Sequence, residues 1–340
     1  MSWSAGQFGA HGFFREPELP RRCKKRMRLS SRLAAASIAA LFGSSLLAVS
    51  QGAGSLRSTT ACRSTKLSFL SERGGRGLQI FRLNVRHPRK VTRVTRLPGI
   101  VADAAWSPDG RRVAFRWFRP SAGRPAVYVA NANATKPKLL VDNANTPAWS
   151  PDGRLIAFSH GSGIGLINVG QALGGNRSSL HDITHTSADR PQEYPHWTAN
   201  GKQLLFNGYG DSRSYDIWVV DPDGRNLRDL TPDRSLEYGA SWSPNGTKIV
   251  FGSNRGLRSI FGGDLYVMNA DGTAVRRLTR GGKTYAPAWS PDGRLMAFNS
   301  RRAGGANEIY VMHANGSGVR RLTTRRGEDM MPSWIGLCRS

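Results

Sequence analysis

The chain has 340 residues, with 49 lysines and arginines against 23 aspartates and glutamates, a net charge of +26 and only three cysteines. So few cysteines exclude a disulfide-dense scaffold. The charge excludes an acidic surface and attracts polyanions at long range. Alternatively, arginine simply replaces other polar residues on a solvated surface.

The amino-terminal residues have the pattern of an export signal. Residues 21–32 are strongly basic, and residues 33–50 are apolar, uncharged and end in Ala48-Val49-Ser50. This pattern predicts a secretory signal over residues 1–50, starting at Met1 or Met27, or a membrane anchor through residues 33–50 if it is retained. We expect a linker over 51–65, a folded domain over 66–335 and a tail over 336–340.

A Trp-Ser-Pro-Asp-Gly string, followed by an apolar triplet ending in Phe, recurs every 43 to 48 residues or so. The copies begin at Trp106, Trp149, Trp197, Trp242 and Trp289, and Trp334 stands alone near the end. About 45 residues is the length of one four-stranded propeller blade.

Each copy contains four short apolar runs separated by turn residues. Large side chains lie two apart, which is the period of a strand, and Ser-Pro-Asp-Gly is a tight-turn sequence. Later runs such as Leu265–Met268 and Leu278-Thr279 complete a sheet of four antiparallel strands. A single sheet buries too little surface to be stable, whereas a ring of sheets buries both faces of each.

The first unit lacks its opening Trp strand, and the last Trp strand has nothing after it. Lys66–Phe69 matches a second strand, and Met331–Trp334 matches a first strand. We therefore predict an all-β, six-bladed β-propeller in which the C-terminal strand pairs into the first blade, with Trp334 beside Phe69. Cys62 and Cys338 both fall at this seam and are predicted to form a disulfide; the alternative is two unpaired thiols on the termini.

The repeat, W-S-P-D-G followed by I-A-F, I-Y-V-M-N-x-D-G and R-L-T, resembles the WD-like repeat of TolB-type propellers over about 270 residues. The resemblance implies a six-bladed propeller with a non-catalytic, protein-binding role in the cell envelope. Too few residues precede the first blade for the N-terminal α/β domain of TolB, so the chain is similar to propeller-only members.

Two enzyme families have similar propellers. Prolyl-oligopeptidase-type peptidases also need a G-x-S-x-G nucleophile elbow, and no such string occurs in the chain. The propeller-type oligogalacturonate lyase builds a metal site from several channel histidines.

Propeller ligands commonly meet the loops that enter the innermost strands, just before each Trp. The polar candidates at these positions are Asp103, Asn145, Glu193, His196, Glu237, Tyr238, Tyr285 and Asp329. Their four carboxylates could bind a hard cation such as calcium or a basic peptide. Alternatively, each carboxylate caps a turn or pairs with an arginine of a neighbouring blade.

Other clusters are weaker candidates. His181, His185, His196 and Glu193 are near one another in sequence but fall on different strands, so no metal site and no cofactor are predicted. We expect structural Arg–carboxylate pairs in the loops between second and third strands. These pairs are Arg255 with Asp264, Arg302 with Glu308, and Arg213 with Asp216.

The sequence thus predicts an exported, monomeric, non-catalytic binding module of the cell envelope. Its partner would be a protein or an anionic envelope polymer rather than a specific nucleic acid. The alternative is a lyase or hydrolase with a metal-assisted site at the mouth of the central channel.

Overall fold

Six four-stranded antiparallel sheets are present in the computed structural model, which describes residues 65–75, 77–161, 163–185, 190–210, 214–257, 262–324 and 327–336. Blade 1 contains β1 (Lys66–Ser71), β2 (Gln79–Asn84) and β3 (His87–Arg93). Blade 2 contains β4 (Ile100–Trp106), β5 (Arg112–Phe118), β6 (Pro125–Asn131) and β7 (Lys138–Asp142). Blade 3 contains β8 (Ala144–Trp149), β9 (Leu155–His160), β10 (Gly163–Asn168) and β11 (His181–Asp182). A short helix, α1 (Val169–Leu173), precedes β11.

Blades 4 to 6 follow the same plan, and a last strand remains. Blade 4 contains β12 (Glu193–Trp197), β13 (Leu204–Tyr209), β14 (Tyr215–Val220) and β15 (Arg228–Asp229). Blade 5 contains β16 (Glu237–Trp242), β17 (Lys248–Ser253), β18 (Asp264–Asn269) and β19 (Arg276–Arg277). Blade 6 contains β20 (Thr284–Trp289), β21 (Leu295–Ser300), β22 (Glu308–His313) and β23 (Arg320–Arg321), and the last strand of the chain is β24 (Asp329–Trp334).

The innermost strands of the six blades contact one another in the closed order β4, β8, β12, β16, β20, β24 and back to β4. Each blade therefore packs against the next, and the predicted six-bladed β-propeller is confirmed.

The Trp-Ser-Pro-Asp-Gly string forms the hairpin turn between the first and second strands, as predicted. In blade 2 the Ser107 hydroxyl donates to the Asp109 carboxylate at 2.6 Å and accepts from the Arg112 amide at 2.9 Å. Gly110 takes the positive φ of 67° that the turn requires. The same bonds form around Ser150 and Thr198, so one local sequence explains the repeated hairpins.

The repeated Phe of each second strand forms the core of its blade. All six are fully buried: Phe69, Phe115, Phe158, Phe206, Phe251 and Phe298. Most of these rings stack on an aromatic ring of the third strand, as Phe298 does on Tyr310 at a centroid distance of 5.6 Å. Burying each such ring stabilises the fold by about 1.5–3 kcal/mol.

The repeated Trp residues join one blade to the preceding one. The Trp149 indole donates to the Ala105 carbonyl at 3.2 Å, and the Trp197 indole donates to the Ala148 carbonyl at 3.1 Å. In both bonds, as in that of Trp334 to the Ala288 carbonyl, the acceptor is the residue just before the Trp of the previous blade. The Trp106 indole instead donates to the Ser68 hydroxyl at 2.8 Å, and the indole N–H groups of Trp242 and Trp289 have no acceptor among the described residues.

The C-terminal strand β24 completes blade 1 by pairing with β1, as the sequence predicts. Leu67 lies opposite Trp334, and the Ser68 hydroxyl donates to the Ser333 carbonyl at 3.1 Å. Trp334 and Phe69 lie in the same hydrophobic cluster. The pairing covers an edge of β1 that would otherwise be open to association with other chains.

The predicted signal segment, the linker and the Cys62–Cys338 disulfide involve residues outside the described ranges, so they stay predictions. Within the described ranges, no helix has the length and apolar character needed to cross a bilayer.

Trp334 closes the ring through both packing and a hydrogen bond, because its indole donates to the Ala288 carbonyl at 3.0 Å. We expect Trp334→Ala to lower the free energy of unfolding by about 3–5 kcal/mol, since it removes a buried ring at the closure. Trp334→Phe keeps most of the packing and should cost about 1–2 kcal/mol. Urea unfolding measures both, and equal losses for the two variants would contradict the role of the ring.

Candidate functional site: the channel mouth

The channel mouth is defined here as the residues one to five positions before the Trp of each innermost strand. At the third position before Trp, all six strands adopt a positive φ between 44° and 60°. These residues are Asp103, Thr146, Tyr194, Gly239, Ala286 and Met331. The pairing register shifts at the same point in every blade, so each innermost strand carries a bulge that reorients its side chains.

This repeated backbone feature was missed in the sequence, because only Gly239 is a residue that favours positive φ. One signal does mark it: a proline follows in four of the six strands, where the missing N–H is tolerated at a bulge. These prolines are Pro147, Pro195, Pro287 and Pro332.

Three of the four predicted carboxylates pair with an arginine. Asp103 Oδ2 lies 2.8 Å from Arg116 Nε, and Glu237 Oε1 lies 2.6 Å from Arg255 Nη2. Asp329 binds the guanidinium of Arg73 through both carboxylate oxygens. Each arginine belongs to the same blade as its acid, whereas the sequence interpretation placed it on a neighbouring blade.

The Glu237 carboxylate is fully buried and also accepts from the Ser253 hydroxyl at 3.0 Å. Burial raises the pKa of Glu237 to about 7, although the Arg255 guanidinium and the Ser253 hydroxyl favour the charged form. Glu237 is therefore a structural group of blade 5 as well as a residue of the channel mouth.

Glu193 is the fourth carboxylate, and it approaches a different blade. Burial raises the pKa of Glu193, and the charge of Asp103 raises it further, while Arg116 and a bond from the Tyr215 hydroxyl lower it. Asp103 lies on β4 and Glu193 on β12, so the charge that raises the pKa of Glu193 further comes from two blades away. Arg116, Tyr194 and Tyr215 were not singled out in the sequence, because nothing in the chain order relates them.

Aromatic and polar groups occupy the rest of the channel mouth. The rings of Tyr238 and Tyr285 stack with centroids 6.0 Å apart, and burial raises the pKa of both phenols, so both are neutral. Thr146, next to Asn145, accepts from the Tyr194 amide at 3.2 Å and so links blades 3 and 4. The channel mouth thus combines neutral tyrosines with four carboxylates, three of which pair with an arginine.

His196 is half-buried, and its Nε2 lies 3.3 Å from the Ser241 hydroxyl of the next blade. Burial lowers the pKa of His196 to about 4, so the ring is neutral at pH 7. His181 and His185 belong to the outermost part of blade 3, where His185 lies 3.9 Å from Asp182. The structure does not bring these histidines to His196, and the described residues contain no group of three or more metal-ligating side chains.

The predicted pairs of Arg255 with Asp264 and of Arg302 with Glu308 are wrong. Asp264 binds Arg277, and Glu308 binds Arg321 through both oxygens. The reason is the sheet register, which places the arginine of each fourth strand beside the acid that begins the third strand. The third predicted pair includes Arg213, which lies outside the described residues, so it remains a prediction.

The residues with positive φ at the bulges of the innermost strands allow a test of backbone strain. Ala286 has a φ of 47°, which costs an alanine about 1–2 kcal/mol, so Ala286→Gly should leave the free energy of unfolding unchanged or slightly raised. Ala288→Gly, two residues later in the same strand, should instead lower it by about 1 kcal/mol. Chemical denaturation of both variants tests the assignment; an equal loss at the two positions would contradict it.

His196 makes the stability of the protein dependent on pH. Its folded-state pKa of about 4 is below the unfolded value of about 6.5, so the unfolded chain binds more protons between these values. Stability should therefore fall as the pH drops from 6.5 towards 4, and His196→Asn should remove this contribution. Thermal melts of the wild type and variant across this range would refute the prediction if their difference stays constant.

Comparisons with known proteins give TolB as a recurrent relative. A Tol-Pal system protein TolB of Anaeromyxobacter dehalogenans is 33% identical over 85 residues, which cover 25% of this chain and 18% of the relative. A TolB homolog of Chlamydia abortus is 38% identical over 88 residues, covering 25% of this chain and 20% of the relative. The chain thus matches about a fifth of the length of these curated relatives, and no protein-family profile matches it.

Solved structures agree over most of the chain. TolB from Acinetobacter baumannii has a TM-score of 0.67 and 19% identity, covering 81% of this chain and 68% of that one. Oligogalacturonate lyase in complex with manganese has a TM-score of 0.52 and 15% identity, covering 76% and 73%. The chain therefore has the six-bladed β-propeller fold of the TolB structures, and it shares this fold with at least one enzyme.

Proposed function

We propose that the protein is an exported, non-catalytic binding module of the cell envelope whose channel mouth binds a segment of a partner protein. The observation that carries this proposal is the state of the carboxylates in the channel mouth. Asp103, Glu237 and Asp329 each pair with an arginine of their own blade, so their charges stabilise the blades.

What remains for a partner is an aromatic surface. Tyr194, Tyr238 and Tyr285 are half-buried, and burial raises the pKa of each phenol, so the three hydroxyls are neutral. The Tyr238 hydroxyl donates to the Thr284 carbonyl at 3.3 Å. Tyrosines of this kind are frequent hot spots of protein interfaces, because they bury a large ring and keep a polar end for hydrogen bonding.

The comparison with TolB supports the same class of function. The curated relative from Anaeromyxobacter dehalogenans is named as a protein of the Tol-Pal system, and it matches this chain over 85 residues. We extend to this chain only the general role of a protein-binding propeller. Residues 1–50 would direct export or anchor the chain, and residues 51–65 would connect them to a monomeric propeller over 66–335.

Positive charge at the outer rim favours an additional contact with an anionic envelope polymer. The fourth strands expose cations including Lys138, Arg228, Arg276 and Arg320. Such a contact is electrostatic and weakens with salt, whereas binding at the tyrosines depends mainly on apolar area. Salt dependence therefore separates the two kinds of partner.

The binding proposal is tested with the purified protein as bait in cross-linking capture from envelope extracts. The double variant Tyr238→Ala/Tyr285→Ala should capture at least about tenfold less of any specific partner, because it removes the stacked pair. Arg111→Ala/Arg154→Ala, which changes exposed residues at the opposite ends of two blades, serves as the matched control. Equal capture by wild type and both variants would refute binding at the channel mouth.

A metal-assisted lyase or hydrolase is the competing function. One feature favours it: burial raises the pKa of Glu193, and the charge of Asp103 acts on it in the same direction. Elemental analysis of the purified protein distinguishes the two functions. A stoichiometric divalent metal that is lost in a Glu193→Gln variant would favour the enzyme.

A further inference from the structure

Three blades end their second strand with the same Ser-x-Arg triplet. The triplets are Ser71-Glu72-Arg73, Ser253-Asn254-Arg255 and Ser300-Arg301-Arg302. In each one the arginine amide donates to the serine hydroxyl, at 3.2, 3.0 and 3.1 Å respectively. The guanidinium then lies over the core Phe of its blade at 5.4, 5.6 and 5.2 Å, so the three arginines have equivalent positions.

Two of these arginines bind a carboxylate that begins the innermost strand of the same blade. Arg73 binds Asp329 in blade 1, and Arg255 binds Glu237 in blade 5. The equivalent position in blade 6 is Thr284. Its hydroxyl is already bonded to the Gly263 carbonyl at 3.0 Å and carries no charge. Arg302 therefore lacks the internal anion that its two counterparts have.

No other carboxylate takes this place among the described residues. Acids of the neighbouring elements are engaged elsewhere: Asp264, which begins β18 of blade 5, with Arg277; Glu308, which begins β22, with Arg321; and Glu328, just before β24, with Arg301. Asp264 also accepts from the Thr279 hydroxyl at 2.9 Å.

A cavity of about 280 Å³ lies at this position. Its lining residues are Arg280, Gly281, Lys283, Thr284, Ser300 and Arg302. Three of the six are cations, and they are exposed, so an anion could reach them from solvent. Thr284 of the cavity is followed in the sequence by Tyr285 of the channel mouth, so the cavity lies next to the proposed binding surface along the chain.

Blade 2 also has an arginine at this position, but the residues around it differ. Arg119 occupies the equivalent position in blade 2, but Trp117 stands in place of the serine. Val101 stands where Asp329 and Glu237 stand in blades 1 and 5. The guanidinium of Arg119 lies over the Trp117 ring at 5.6 Å. In blade 6 the Arg302 guanidinium donates from Nε to the Ser300 hydroxyl at 3.3 Å and has no carboxylate partner among the described residues. Two further cations and small hydroxyl residues surround it.

We infer that the cavity bounded by Arg280, Lys283 and Arg302 binds a carboxylate of an acidic peptide segment supplied by the partner. The carboxylate occupies the place that Asp329 and Glu237 take in blades 1 and 5. This inference rests on the proposed function, and it adds the charge of the partner segment. A planar guanidinium suits a carboxylate, and the two further cations favour a segment with more than one acid.

The test uses fluorescence anisotropy with the full chain and a labelled acetyl-Gly-Glu-Asp-Glu-Gly amide. We expect Arg302→Ala to weaken binding at least about tenfold, as for the loss of a charge-assisted bond. Thr284→Asp should weaken it similarly while Arg302 is kept, because the new carboxylate reproduces the Asp329–Arg73 pair. Arg294→Ala, an exposed arginine at the opposite end of the same blade, removes the same charge and should leave binding unchanged.

Several results would overturn the inference. One is equal binding by Arg302→Ala and wild type; another is equal binding of the Gln/Asn analogue of the peptide. Displacement of the peptide by equimolar inorganic phosphate would show a general anion site instead. Thermal melts of each variant identify any that fail to fold, and Arg302→Gln then replaces the alanine variant. Because the peptide is added directly, a negative result in this assay contradicts only the inference about the cavity. Capture of a partner at the tyrosine pair is tested by the separate cross-linking experiment.

Discussion

The pairing of β24 with β1 is the constraint on which the rest of the structure depends. It brings residues from the two ends of the described chain into one sheet, with Leu67 opposite Trp334. Without it, blade 1 would lack an innermost strand and the Asp329–Arg73 pair could not form. The six innermost strands would then not surround a common axis, and the channel mouth, which takes residues from all of them, would not exist.

Closing the ring brings many polar groups together, and the structure neutralises them locally. The arginines that pair with the mouth acids come from the second strand of the same blade or the loop after it. Arg73 and Arg255 also lie over the core Phe of their blades. In blades 1 and 5 one arginine therefore serves both as counter-ion and as packing surface. Arg302 has the same position as Arg73 and Arg255 but no acid of its own blade, and for this reason it is proposed to bind a carboxylate of the partner.

The sequence was sufficient for the architecture because the blade is encoded locally. Trp, the Ser-Pro-Asp-Gly turn and the buried Phe act within about ten residues, and their period gives the number of blades. The channel mouth was predictable only in part. Strand order identified Asp103, Glu193 and Tyr285 as neighbours of the axis, but the left-handed bulges are set by the closed ring and not by local preference. The arginine partners were assigned by proximity in sequence, whereas the sheet register decides them.

The late position of β24 has a consequence for the timing of synthesis. The strand that completes blade 1 is made more than two hundred residues after its partner β1. At about 5–20 residues per second, that delay is on the order of tens of seconds. Throughout this interval the first blade is an open sheet with an uncovered edge on a ribosome-bound chain. For the export proposed above, this order of synthesis means that the ring is still open while the amino-terminal residues are already available to a translocation pore.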